Sequence, residues 1–205
     1  MRKLLVFIFF NIVVSANVNA QSNLGLRSFS TVLQAQNVKD AQQFISFKNK
    51  KTYNLLDASY IPDQIDLIFM YGNNTGLNLM TPSSNSVGSF GAKYKINVQD
   101  GWDIKKDGSL MVLRDIVKAQ MQYKEMKSLN ELKDLFAYYE LNISGLPGYK
   151  SREFGPADNT IRMQDGDIVL FKSLTTDGLY AIGQVVSSKK SYEGEMKIEW
   201  KIPKK

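Results

Sequence analysis

The chain has 205 residues, with 26 Lys and Arg against 20 Asp and Glu, a net charge of +6, 43% apolar side chains, and neither histidine nor cysteine. Those two absent residue types activate most nucleophiles, ligate most transition metals and form all disulfides, so a Ser-His-Asp triad, a thiol protease and a zinc hydrolase are excluded. Stability must come from a core, which this length and apolar content can supply.

Residues 1–20 read as a cleaved signal peptide. Arg2 and Lys3 form a basic start, the run from Leu4 to Val14 is apolar except for Asn11, and Val18 with Ala20 gives a small-residue cleavage pattern before Gln21. An apolar run of about ten residues is short of the roughly 20 needed to span a bilayer. No cysteine follows to take a lipid anchor, so the mature protein is expected in the periplasm or outside the cell, with no transmembrane segment. Removing Arg2 and Lys3 lowers the charge from +6 to +4. The remaining lysine runs lie apart in probable turns, without the clustered Arg and interleaved aromatics of a nucleic-acid surface, so no nucleic-acid partner is expected.

Residues 21–40, polar and rich in Gln, Asn and Ser, read as a weakly ordered lead-in or a short helix, and 41–205 as a single α+β domain. Residues 43–47 and 52–55 form a strand, turn and strand around Asn49. Residues 65–71, nearly all apolar and closed by Gly72, suit a buried strand. The stretch 73–91, full of Gly, Asn, Ser and Thr, reads as a long loop. A loop of that length in a compact domain is uncommon unless it binds something or is disordered. It lacks the spacing of a phosphate loop. Residues 99–109 carry Asp100, Asp103 and Asp107 beside glycines; the spacing misses the EF-hand pattern, and turn chemistry accounts for it, so no metal is expected.

From Leu110 to Leu141 the pattern turns helical. Ser128 and Glu131 make a capping box, followed by Leu129, Leu132, Leu135, Phe136 and Tyr139 on one face, and 114–126 forms a less regular helix before it. Residues 142–159, with three glycines and two prolines, form a long connection. The last third is an antiparallel three-stranded meander, 167–173, 179–187 and 195–202, with Asp177-Gly178 and Glu193-Gly194 turns. Met196, Ile198, Trp200 and Ile202 alternate there with Lys197, Glu199 and Lys201. The class is α+β, with a mixed or antiparallel sheet, a C-terminal meander and a helical segment in the middle.

Phe44, Lys51, Tyr53, Ala58, Ile65-Asp66-Leu67 and Tyr71-Gly72, together with Asp165-Gly166-Asp167-Ile168-Val169, Phe171-Lys172, Gly178, Tyr180, Val185, Gly194 and Ile198, resemble the opening and closing segments of a group of exported Bacteroidetes proteins of unknown function. The resemblance implies a bacterial envelope or secreted protein, rests on structural glycines, strands and turns, and carries over no catalytic residue.

Two chemistries survive without His and Cys. Paired carboxylates suffice for glycoside hydrolysis, and Glu140, Glu153, Asp165 and Asp167 lie nearest the loop-to-sheet junction. Ser187 and Lys190 have a Ser-x-x-Lys spacing, but in a polar hairpin turn rather than at a helix start. The binding reading uses more of the chain: Trp102, Tyr94, Phe90 and Tyr149 lie in or beside the long loops as candidate ligand-binding aromatics. Trp102 sits beside Gly101 among three aspartates, either as a partly buried anchor pinning the loop or as a platform for a sugar ring or a partner protein, whereas Trp200 falls on the apolar face of a strand and belongs in the core. The expectation is a non-catalytic binding module for an extracellular or periplasmic glycan or protein, with no cofactor. The alternatives are a carboxylate-dependent glycan hydrolase and a structural or inhibitory partner of an envelope protein.

Overall fold

The computed structural model describes residues 24–204; the signal-peptide expectation falls outside them. Ten strands form two five-stranded antiparallel sheets. The first is ordered β1-β10-β9-β8-β6, where β1 is Leu26–Gln34, β6 Gly108–Leu113, β8 Ile168–Ser173, β9 Tyr180–Ser188 and β10 Glu195–Pro203. The second is ordered β3-β2-β4-β5-β7, with β2 Phe44–Ser46, β3 Lys51–Tyr53, β4 Leu67–Gly72, β5 Gly76–Met80 and β7 Asn159–Thr160. The C-terminal meander and the α+β class are as expected.

Alternation within the strands explains the layering. In β4, Leu67 and Phe69 face the other sheet while Ile68 and Met70 face outward, and in β8, Val169 and Phe171 point inward while Ile168 and Leu170 point outward. All are buried, so both faces of each sheet are covered and the strands read as continuous apolar runs. Between the sheets, Phe47 packs edge-on against Trp200 with ring centroids 5.0 Å apart. Gly183 makes room for that indole: a Cβ there would sit 2.6 Å from Trp200 Cε3.

Helices cover the outer faces. α1 is Leu55–Ser59, and α2, Ala92–Tyr94, continues into a wide turn Lys95–Gln99; with Val87 and Trp102 they cover the second sheet. The first sheet is covered by α3, Val117–Glu125, and α4, Leu129–Asn142, through Ala119, Tyr123, Leu132, Leu135, Phe136 and Tyr139. The capping box at α4 is present: Ser128 Oγ accepts from Glu131 N, and Glu131 Oε2 accepts from Ser128 N. α5, Ser151–Phe154, packs at the edge of β6.

Three expectations are corrected. The helical pattern does not begin at Leu110: residues 108–113 form β6, paired antiparallel with β8, and the helices start only at Val117. Residues 26–34 are neither a weakly ordered lead-in nor a short helix but the nine-residue strand β1, paired along its whole length with β10 from Leu26 opposite Pro203 to Gln34 opposite Glu195. Its inward positions Phe29, Thr31 and Leu33 alternate with exposed Ser28, Ser30 and Val32, a pattern masked by the polar sequence around it. Residues 73–91 are not one long loop, because 76–80 form β5, hairpinned onto β4. Asn78 hides that strand in the sequence; its buried amide nitrogen donates to the carbonyls of Met70 and Gly76, which satisfies the group.

Candidate functional site

Gly72 at the end of β4 with the turn 73–75, and the segment 86–91 with its short 3-10 turn, form two walls of a cleft of about 470 Å³ at one end of the sandwich. Its third side comes from Gln36, just after β1, and from Tyr192 in the β9–β10 turn, and its fourth from Asn159 and Ile161 beside β7. The walls are fixed by amide hydrogen bonds. Gln36 grips the end of β4 with both ends of its amide, Nε2 donating to Tyr71 O at 2.5 Å and Oε1 accepting from Tyr71 N at 3.0 Å. Asn159 Nδ2 donates to Ser86 Oγ at 2.8 Å. Tyr71 and Tyr192 meet edge to face with centroids 5.2 Å apart.

The chemistry of this lining is unusual for the chain. Gln36, Asn73, Asn74, Asn78 and Asn159 supply amides, Thr75, Ser86 and Ser89 hydroxyls, and Tyr71, Phe90 and Tyr192 aromatic surface, and no lining residue is charged although 22% of the sequence is. Lys93, close by, turns its ammonium onto the Gln36 carbonyl at 3.3 Å. Amides and hydroxyls offer donors and acceptors together, and ring faces offer flat apolar surface with polar edges. Such a set matches a neutral polyhydroxylated ligand.

The four aromatics singled out from the sequence are not brought together. Phe90 lines this cleft. Tyr94 is fully buried, its hydroxyl donating to Gln43 Oε1 at 2.6 Å, and burial pushes its phenol up to about 12. Trp102 is 5% exposed and packs on Phe44 at 5.6 Å. Both are parts of the layer that closes the second sheet, and neither presents an open ring face; a Gly-flanked tryptophan among aspartates looks like a surface platform only when the sheet beneath it is unseen. Tyr149 stands at a separate hollow of about 210 Å³ with Phe154, Ile116 and Leu146, its hydroxyl donating to Gly155 O at 2.8 Å. The cleft's amides and Tyr192 were missed, since neutral side chains scattered over the chain carry no motif.

Of the four candidate carboxylates, two converge, on Arg114. Asp167 takes Nε and Nη2 of Arg114 at 3.0 and 2.9 Å, and Glu153 takes Nη1 at 3.2 Å. Asp167 also accepts from Gln164 N, and Glu153 from Arg162 and Lys150. Burial raises the Asp167 carboxyl above its ordinary value despite Arg114; at Glu153 burial acts the same way, but Arg162 and Lys150 outweigh it and the net shift is downward. Both are nearly inaccessible, at 1% and 5% exposure, so the arrangement ties β6, β8 and α5 together and offers no carboxylate to a substrate. Asp165 instead accepts from Ser188 Oγ, and Glu140 lies 3.9 Å from Lys172.

No family model matches the chain, and no curated protein matches it. Among solved structures, a DUF4466 family protein from Parabacteroides merdae is similar at 13% identity with a TM-score of 0.49, over 88% of this chain and 54% of that one. The chain thus spans about half the length of that protein, and at this level of likeness no residue role passes between the two.

Proposed function

We propose that the protein is an exported, non-catalytic binding module that holds a neutral glycan in the uncharged cleft between 72–75, 86–91, Gln36, Asn159 and Tyr192. The observation that carries the reading is the lining itself: amides, hydroxyls and aromatic rings without a single charge. Sugar hydroxyls both donate and accept, as amides do, and a neutral ligand incurs no charge desolvation on entry. Export is supported by the basic, apolar and small-residue order of the first 20 residues.

The test is thermal unfolding of the protein lacking residues 1–20 against neutral oligosaccharides, with uronate-containing and sialylated ones as the charged comparison. A ligand at one hundred times its dissociation constant stabilises by about 2.7 kcal/mol. The expected result is a saturable rise in Tm with one neutral class and a smaller or absent rise with charged ones. Tyr192→Ala, which alters a side chain 42% exposed, removes the rise without lowering the ligand-free Tm by more than a few degrees. No shift with any neutral glycan, or an unchanged shift in Tyr192→Ala, refutes the assignment. Release of reducing ends from a bound glycan would instead make the protein a hydrolase. N-terminal sequencing of the protein recovered outside the cytoplasm checks export, with Gln21 expected as the first residue.

A further inference from the structure

The opposite end of the sandwich carries a second cavity, of about 410 Å³, with the reverse chemistry. β1 runs from one to the other: Arg27 lines this cavity and Gln36 lines the uncharged cleft, so the two are separated by about 30 Å at 3.3 Å per residue. Its apolar lining comprises Ile104, Leu179 and Pro203 together with Phe47 and Ile202, the last two 1% exposed and part of the core between the sheets. Around that floor stand Arg27, Lys48 and Lys106 with Asp63, Asp66 and Asp177.

These charges are not equivalent. Asp66, fully buried, and Asp177 share the Lys106 ammonium, each at 2.8 Å, and Asp66 also accepts from Phe47 N at 2.7 Å. Burial pushes the Asp66 carboxyl up, while at Asp177 the hydrogen bonds of Lys106 and Ser173 overcome burial and hold the carboxyl at about 2. Asp66 and Asp177 are thereby engaged within the protein, while Asp63 stands exposed in the same lining without an ion pair to any described residue. Arg27 and Lys48 make no ion pair with any described residue. Arg27 Nε is buried and has no hydrogen-bond partner, a state that costs free energy unless something else supplies an acceptor.

We propose that this cavity binds an organic monocarboxylate with an apolar body, its carboxylate on the Arg27 guanidinium and its hydrocarbon on Phe47, Leu179 and Ile202. The planar guanidinium fork fits a carboxylate and completes the donor left open at Nε. The three aspartates in the same lining disfavour a dianion, which sets the class apart from phosphate esters. The apolar floor sets it apart from small hydrophilic acids. This assignment does not depend on what occupies the uncharged cleft.

Decanoate is the probe, with decanol matching its chain and inorganic phosphate matching its charge type, titrated into the protein lacking residues 1–20 and followed by calorimetry and by chemical-shift changes. Decanoate is expected to bind saturably, with shifts at Phe47, Leu179 and Ile202, at least tenfold more tightly than decanol, and phosphate not to bind there. Arg27→Gln should weaken decanoate at least tenfold and leave decanol unchanged, while Arg27→Lys retains part of the preference. Arg27 Nε has no hydrogen-bond partner and the guanidinium no ion pair with a described residue, so the variant's ligand-free Tm should stay near that of the parent, and Arg152→Gln, on the exposed face of α5, serves as the charge control. Equal affinity for decanoate and decanol, undiminished decanoate affinity in Arg27→Gln, or equal loss in Arg152→Gln overturns the proposal.

Discussion

Arg114→Met puts the ion network at the edge of β6 to a quantitative test. Removing the guanidinium takes both charge-assisted hydrogen bonds from Asp167, whose side chain is 1% exposed, while Glu153 keeps Arg162 and Lys150. Breaking a buried pair from one side costs about 3–5 kcal/mol, because the remaining charge stays in a poor solvent. For a chain of this size each kcal/mol moves Tm by about 2–4 °C, so a fall of roughly 6–20 °C is expected at pH 7. The pH dependence follows from the same carboxyl. Burial already raises Asp167 above its ordinary value of 3.8, and losing Arg114 raises it further. A carboxyl raised on folding favours the folded state while protonated and disfavours it as pH climbs through its folded value. The deficit of Arg114→Met should therefore be small below pH 4 and grow toward neutrality. Urea unfolding of parent and variant from pH 3.5 to 7 measures it, with Arg114→Met/Asp167→Asn expected to recover at least half of the neutral-pH loss. A deficit under 1 kcal/mol at pH 7, or one that does not change with pH, would sink the account of Asp167 as a charge held in place by Arg114.

Two further perturbations probe packing and local structure. Gly183→Ala drives a methyl to within 2.6–2.8 Å of Trp200 and Ile198 in the core between the sheets, and should cost about 1–3 kcal/mol by denaturant unfolding, with a changed tryptophan emission in the folded state. An unchanged midpoint would mean that the two sheets separate more easily than their packing implies. Ser128→Ala removes the hydroxyl half of the capping box at α4 and should cost about 1 kcal/mol, whereas Ser144→Ala, on an exposed residue beyond the far end of that helix, should cost nothing measurable.

What the sequence reveals follows from how local the cause is. The capping box, the alternation in β10 and the turns of the meander are set by neighbours within a few residues, and the structure shows each of them. β1 escaped because only Phe29, Thr31 and Leu33 mark its inner face, and the partner that makes it a strand is at the other end of the chain. Trp102 and Tyr94 stand out in the sequence only as aromatics near long loops, because the layer they complete needs β2 and β4 beneath it. Glu153 and Asp167 stood out as carboxylates, yet the arginine between them is far away in sequence and decides that they hold the structure together. The uncharged cleft is the hardest case: Gln36, Asn73, Asn159 and Tyr192 come from four separate segments, and no charged side chain flags them.

The β1–β10 ladder also governs the order of events in folding. It joins the two strands farthest apart in sequence, and Lys204 N even donates to Gly25 O at 2.8 Å beyond its end. Closing so long a loop is entropically slow, so this ladder belongs among the late contacts, after the β8–β9 and β9–β10 hairpins have formed. Because Gly25 and Lys204 touch, a short linker between them would convert the ladder into a hairpin, and new ends could be opened in the exposed turn at Asp177 and Gly178. Such a permuted chain would retain β1–β10 as a local contact while making β8–β9 a distant one, so the same sandwich would assemble with its early and late steps exchanged.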